Sequence, residues 1–459
     1  MTLIKSISGI RGVVGGSVGS SLSPLDIVKY TASYAELIRR KRSVSNTIII
    51  GRDARISGKM VSTFVTQTLI AYGFNVIDIG LTTTPTVEVA VKFQKAAGGI
   101  IITASHNNGD WNALKLLNHH GEFLSSSDGE KLLILAERDE FSFVKSDSLG
   151  SYVFDDSFND QHIEHILSLE LVNVDLVKKS GFKVVVDAVN STGGFMVPKL
   201  LEKMGVKCVK LFCEPNGNFP HNPEPLAEHL EDLSNLVVKS GADFGIAVDP
   251  DVDRLALVCE DGSMFGEEYT LVTVADYILS KNPGSTVSNL SSTRALRDVT
   301  NHYSCEYQAS SVGEVNVVNK MKEINAVIGG EGNGGVIYPS SHYGRDALIG
   351  IALFLSQLAE KKLSVKKIRD SYPNYVISKN KIVLPDHIEL DSVLLEIQKT
   401  YKNEKISVID GLKIDFLDGW VHIRKSNTEP IVRVYAESHD LEKASGIANK
   451  IIKQIKNLF

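Results

Sequence analysis

Ser105 lies in the run GIIITASHNNGDWNALK (99–115), where an apolar stretch breaks into Thr103-Ala104-Ser105-His106-Asn107 and Lys115 follows. A serine beside an imidazole first suggests acyl transfer. That chemistry favours Gly-x-Ser-x-Gly flanks, and an immediately adjacent histidine seldom reaches the serine Oγ, so a hydrolase triad is not expected. As a lone serine it reads equally well as an N-cap opening a helix over DWNALKLLN (110–118). The glycine- and amide-rich turn shifts that reading. Backbone N–H groups and a helix N-terminus facing an anion suit a serine that carries a phosphoryl group.

Asp249-Pro250-Asp251-Val252-Asp253-Arg254 sets three carboxylates at spacing two, directly after another apolar run. Such close like charges repel unless a cation lies among them. An EF-hand loop is excluded, because Arg254 stands where its glycine belongs and LALVC (255–259) is an apolar strand. A Mg²⁺ site or a solvated acidic turn remains. A phosphorylated Ser105 would add a charge of about −2 and bring the total to about −5. The two motifs therefore need each other, with Lys115 and Arg254 as compensating cations.

Gly329-Gly330-Glu331-Gly332-Asn333-Gly334-Gly335 can let backbone approach a ligand, with Glu331 and Asn333 offering acceptors and donors for vicinal hydroxyls. A tight turn between two strands would explain the glycines equally well. Arg424, Ser426, Asn427 and Thr428 combine a guanidinium, two hydroxyls and loop amides, a set that suits phosphate or a polar hairpin loop. Arg11, in SGIRGVVGG (8–16), is either a phosphate contact or a solvated arginine.

These residues must be held by the elements around them. Strand-like runs recur at 47–53, 98–107, 182–194, 243–254 and 325–335, each ending in small or polar residues, with helical patterns such as 60–73 and 195–205 between them. The alternation predicts α/β layers with largely parallel sheets, and ligands gather beyond the C-terminal ends of such strands. The pattern recurs three times, giving three related α/β domains over 1–150, 151–260 and 261–372. Residues 373–459 read as strand pieces and a terminal helix, a small α+β domain.

The chain has 459 residues, 43% hydrophobic and 23% charged, with a net charge of −6. That composition is ordinary for a soluble globular protein and argues against general nucleic-acid or anionic-membrane binding. Four cysteines without Cys-x-x-Cys pairing read as reduced core thiols. The start MTLIKSISGIRGVVGG has no apolar signal-peptide core, and ALIGIALFLSQLA (347–359) is too short to span a bilayer. A buried helix and a cytoplasmic protein are expected. No feature of the sequence speaks to its oligomeric state.

Taken together and in order, ISGIRGVVGG, TASHNNGDWNALK, DPDVDR, GGEGNGG and RKSNTEP make the chain similar, over nearly its whole length, to the α-D-phosphohexomutases. The resemblance implies three α/β domains of phosphoglucomutase type, with mixed sheets, and a C-terminal α+β domain around a central cleft. It implies interconversion of hexose 6-phosphate and 1-phosphate through phosphorylated Ser105 and a hexose 1,6-bisphosphate. One Mg²⁺ per chain would be held by Ser105, Asp249, Asp251 and Asp253. Lys115 would be the general acid/base, with its pKa tuned downward, and His106 and Arg11 would surround the phosphoserine. Arg254 would close the metal loop. Glu331 and Asn333 would recognise the sugar, and Arg424, Ser426, Asn427 and Thr428 the phosphate that is not reacting. Glucosamine phosphate is the expected substrate, with glucose or mannose phosphate as the alternative. A catalytically silent sugar-phosphate-binding protein is the competing class, and Ser105, Lys115 and the three aspartates together count against it. Two departures stand out. Asn108 replaces a frequent proline, predicting a looser loop, and Gly335 replaces a histidine sometimes given a proton-transfer role.

Overall fold

The computed structural model describes residues 2–6, 9–41, 45–383, 389–425 and 431–458. Four sheets follow one another along the chain. The first three share a plan. In the first, Thr47–Arg52 pairs in parallel with Asn75–Leu81 and Gly98–Ile102, and Gly98–Ile102 then turns back into the antiparallel strand Trp111–Leu117. In the second, Lys183–Asp187 lies parallel to Lys207–Leu211 and to Phe244–Val248, which turns into the antiparallel strand Leu255–Cys259. In the third, Thr286–Asn289 lies parallel to Tyr307–Ser310 and to Ile328–Glu331, which turns into antiparallel Gly335–Ile337. The fourth sheet, Val376–Ile382 with Val432–Ser438, Gly419–Lys425, Leu412–Phe416 and Lys405–Ser407, is antiparallel throughout and is covered by the helix Leu441–Lys456. The sheets are therefore mixed, and the three hairpin turns carry Ser105, the aspartates and the glycine run.

Residues 110–118 form no helix. Trp111–Leu117 is a strand, with Lys115 opposite Ile101 and Leu114 opposite both Ile102 and Ile10. Asn112 to Leu117 are all buried. A short apolar run fits a buried strand as well as a buried helix, and pairing on both edges decides for the strand. No helix N-terminus therefore faces Ser105 from this segment. The stretch 347–359 is a helix buried along its whole length, and its Phe354 packs edge-on against Phe244 and Phe265, so the second and third domains share one apolar core. No helix among the described residues is long and apolar enough to cross a membrane.

A buried polar chain joins the first three domains. His162, on Phe158–Leu167, meets Thr86 Oγ1 through Nδ1 at 2.9 Å and Asp346 Oδ2 through Nε2 at 3.0 Å. The same Asp346 oxygen meets His342 Nε2 at 3.2 Å, and His342 Nδ1 faces Glu88 Oε2 at 3.3 Å. Asp346 Oδ1 accepts from the Leu348 and Ile349 amides, opening the helix Ala347–Lys361. Burial opposes charge on His342, but Asp346 and Glu88 outweigh it and raise its pKa to about 9. Burial lifts Glu88 to about 8. Both groups hold a proton more tightly folded than unfolded, so their stabilisation is complete at low pH and is lost progressively as pH rises from the ordinary value of each group to its folded one, about 8 for Glu88 and about 9 for His342. Calorimetry should show Tm falling from mildly acidic pH up to about pH 9, by about 1 °C per kcal/mol lost for a chain of this size. Glu88→Gln, which has no proton to lose, should flatten the slope, and identical slopes in the two proteins would contradict the assignment.

Candidate active site

The three hairpin turns converge on one buried cluster of charge. Ser105 Oγ donates to Asp249 Oδ2 at 2.6 Å. Lys115 Nζ reaches Asp251 Oδ2 at 2.6 Å and Asp253 Oδ2 at 3.2 Å. Asp249, Asp251 and Asp253 are fully buried, and Ser105 and Lys115 nearly so. The turns are strained where they bend most. Ser105 has φ +50° and Val252 φ +62°, a left-handed conformation that is uncommon for serine and an outlier for a β-branched residue. The strained residues stand within the two turns that carry the serine and the aspartates.

Burial, then Asp253 and Asp251, push the Asp249 carboxyl well above its ordinary range. Asp253 goes the other way, because Arg345, Lys115 and Arg254 together overcome the cost of its burial. Burial favours a neutral Lys115, but Asp251 and Asp253 outweigh it and hold the ammonium above its ordinary pKa. The downward tuning expected for Lys115 is thus reversed in this arrangement. His106 is driven well below its ordinary value by burial and by Arg254 and Arg11, so it is neutral, with Nδ1 3.4 Å from Ser105 Oγ.

The cluster suits a hard divalent cation. One carboxylate oxygen from each aspartate lies within 4.8 Å of the others. Asp251 Oδ1 and Asp253 Oδ1 are buried without a hydrogen-bond partner, an arrangement that costs free energy unless something positive meets them. An all-oxygen donor set of this kind favours Mg²⁺ over softer metals.

The other expected residues surround this centre unevenly. Arg11 donates to Asn107 Oδ1 at 2.9 Å, beside the serine. The Arg254 amide donates to Asp249 Oδ1 at 3.1 Å, and its guanidinium reaches Glu224 Oε1 at 3.0 Å. Glu331 is held by Asn289 Nδ2 at 2.8 Å, the Gly313 amide at 3.1 Å and Arg345 at 3.1 Å. Asn333 Oδ1 accepts from the Gly335 amide and so closes its own turn. Arg424 is the penultimate residue of the strand Gly419–Lys425, largely buried, with Nε lacking a partner. Ser426, Asn427 and Thr428 lie outside the described residues.

Sequence reading missed Arg55, Thr84 and Arg345. The Arg55 guanidinium spends all five N–H groups at 3.0 Å or less. Nε donates to Asp53, Nη1 to the Asn108 and Trp111 carbonyls, and Nη2 to the Ser105 and Asn107 carbonyls. The serine turn is thereby tied down at Asn108 itself, so the looseness expected without proline is absent. Thr84 opens the helix Thr84–Phe93, where its hydroxyl and amide both donate to Asp251. The polar cluster RDAR (52–55) after an apolar strand was the available signal for Arg55, whereas nothing local marks Thr84 or Arg345. Arg55→Met should strip the guanidinium from four carbonyls and from Asp53, leaving Asp53 only the Arg55 amide and the Thr103 hydroxyl. The expected cost is about 3–5 kcal/mol by denaturant titration, the range for breaking a buried ion pair. A loss under 1 kcal/mol would contradict this role for Arg55.

The sequence matches the phosphoglucomutase/phosphomannomutase alpha/beta/alpha domains I (3–142), II (160–262) and III (266–375) and the C-terminal domain (381–454). It is 33% identical over 442 residues to a phosphoglucomutase/phosphomannomutase of Thermococcus kodakarensis, covering 95% of this chain and 94% of that one. It is 28% identical over 461 residues to a phosphoglucosamine/phosphogalactosamine mutase of Sulfurisphaera tokodaii, covering 98% and 97%. The fold superposes with TM-score 0.86 on a phosphoglucomutase/phosphomannomutase family protein of Burkholderia thailandensis, at 26% identity over 99% of this chain and 97% of that one. With every domain matched in order and the serine, lysine and aspartates drawn into one cluster, the chain belongs to the phosphoglucomutase/phosphomannomutase family of phosphohexomutases.

Proposed function

We propose that this enzyme is a phosphoglucosamine mutase, converting glucosamine 6-phosphate to glucosamine 1-phosphate through phosphorylated Ser105 and a 1,6-bisphosphate. The observation that carries the reading is the buried contact of Ser105 Oγ with Asp249, in a cluster where Asp251 and Asp253 each keep a bare oxygen beside Lys115. The relative in Sulfurisphaera tokodaii, named for glucosamine and galactosamine phosphates, supports the amino sugar. Glucose and mannose phosphates form the second reading, favoured by the name of the Thermococcus kodakarensis relative.

Ser105, Asp249, Asp251 and Asp253 would hold one Mg²⁺, which supplies charge neutralisation at the transferring phosphoryl group. In the first half-reaction the P–O bond to Ser105 breaks as the free sugar hydroxyl oxygen bonds to phosphorus, and the hydroxyl proton passes to Lys115. Lys115 can accept it once Asp251 and Asp253, the carboxylates assigned to the cation, no longer pin its charge. Arg11 and Arg254 hold the phosphoserine turn and the aspartate turn in place, and neutral His106 adds no further charge beside the serine. Glu331 and Asn333 orient the sugar hydroxyls. Arg424, Ser426, Asn427 and Thr428 clamp the phosphate that is not reacting. The bisphosphate then turns over, its other phosphate returns to Ser105, and Lys115 returns the proton.

Isomerisation of glucosamine, glucose and mannose 6-phosphates, assayed side by side, tests the substrate. The amino sugar should be turned over fastest, and no turnover of any of the three would overturn the assignment. Intact-mass measurement should find one phosphoryl group per chain, lost in Ser105→Ala together with activity. Lys115→Met should slow turnover about 10²–10⁴-fold, the usual worth of a general acid/base. Chelation should abolish activity and Mg²⁺ restore it.

A further inference from the structure

Arg345 stands at the head of the helix Ala347–Lys361 and is 8% exposed. Its guanidinium touches three carboxylates from three segments. Nη2 donates to Asp253 Oδ2 at 2.7 Å, Nη1 to Glu331 Oε2 at 3.1 Å and Nε to Glu314 Oε2 at 2.9 Å. One residue thus ties the aspartate turn to the sugar turn. The contact also fixes which oxygens remain for other work. Asp253 Oδ2 is taken by Arg345 and Lys115, leaving Oδ1 bare, while Glu331 is gripped on both oxygens.

Gly335 explains how the arginine finds room. Gly335 does not have the left-handed φ that would call for glycine. A Cβ there would meet Arg345 Cδ at 2.3 Å and Cγ at 3.0 Å, closer than real side chains approach. Asn333 Oδ1, in the turn itself, would stand at 3.1 Å, so the arginine stem makes the tightest demand for glycine at 335. Any side chain at 335, a histidine included, would take the volume that Arg345 fills.

We propose that Arg345 is a positioning residue that couples sugar recognition at Glu331 to the cation-holding geometry of Asp253, and that Gly335 is its obligatory partner. The coupling is reciprocal. Whatever orders Glu331 also orders Asp253 through the shared guanidinium, so sugar phosphate should tighten Mg²⁺ and Mg²⁺ should lower the KM for sugar phosphate by the same factor where KM reports binding. A lysine cannot reproduce this, because one ammonium has no planar fork to span the carboxylates.

The proposal rests on the phosphohexomutase reading. It is tested by titrating Mg²⁺ calorimetrically into the full-length enzyme, with and without whichever of the three hexose 6-phosphates it turns over fastest, present at mutase equilibrium. Wild type should bind Mg²⁺ at least about fivefold tighter with sugar phosphate, the lower end of ordinary site-to-site coupling. Arg345→Gln should reduce that factor to about one, and Arg345→Lys should restore only part of it. Gly335→Ala, which keeps the arginine but displaces its stem, should lose coupling too. Adding it to Arg345→Gln should cost nothing more, since the two changes act on one contact. Coupling retained in Arg345→Gln, full rescue by lysine, or additive losses in the double variant would overturn the proposal. Should Arg345→Gln fail to fold, Gly335→Ala alone decides, because coupling that survives it rejects the partnership. No hexose turnover by wild type would instead reject the functional reading.

Discussion

Three aspartates from one turn are buried with no exposure to water, and the rest of the structure answers to that fact. Two unit charges 4 Å apart interact by about 4 kcal/mol even where the effective dielectric constant is near 20, so three carboxylates cannot share such a place without cations. The cations come from every side. Lys115 belongs to the first sheet, Arg254 to the aspartate turn of the second domain and Arg345 to the third. No domain taken alone neutralises its own share. The burden left over falls on Asp249, whose carboxyl is pushed upward and which accepts the Ser105 hydroxyl. A site of this kind is poised to take one more positive charge and to place it against the serine.

The same demand explains why function sits on hairpins. A parallel strand that ends in a turn and returns antiparallel presents a short loop whose two stems are both fixed by the sheet. Three such loops meet here, and they bond to one another as well as to side chains. The Leu255 amide, just after the aspartates, donates to the Gly334 carbonyl, and a Cβ at Gly334 would strike the Leu255 carbonyl at 2.3 Å. Gly334, at φ +85°, therefore serves contact between loops of the chain itself, whereas the sequence had suggested close approach of a ligand.

How much of this was legible follows from the range of the interactions. Isoleucine and valine runs ending in polar residues identify their strands because burial on both faces leaves a local trace, as at 48–50, 100–102 and 184–186. Ser105, Lys115 and the aspartates announce themselves by residue type and spacing. The Trp111–Leu117 strand was misread because its apolar pattern fits helix or strand, and only its neighbours Ile10 and Ile102 decide. The partners of Arg55, despite the polar RDAR cluster that marks it, and those of Arg345 were invisible for a related reason. Arg55 acts on carbonyls some fifty residues away and Arg345 on an aspartate nearly a hundred away, and such partners write nothing into the flanking sequence.

The fourth domain obeys a different physics. Among the described residues its apolar core draws only on those between Ile382 and Ile455, whereas the second and third domains share one cluster. Its attachment to the third domain is polar. Arg294 donates to the Phe416, Leu417 and Gly419 carbonyls, Lys413 to the Leu290 carbonyl, and Glu437 accepts from the Arg294 amide. On separation, water can replace such hydrogen bonds, whereas it cannot replace the contacts of a shared apolar core. The reaction proposed above, in which a bisphosphate turns over and Arg424 helps clamp the idle phosphate, calls for a charge centre that never loosens and a clamp that can. The division of cores supplies that asymmetry: Ser105, the aspartates, Lys115 and Arg345 belong to the three wired domains, and Arg424 belongs to the one that is cored separately.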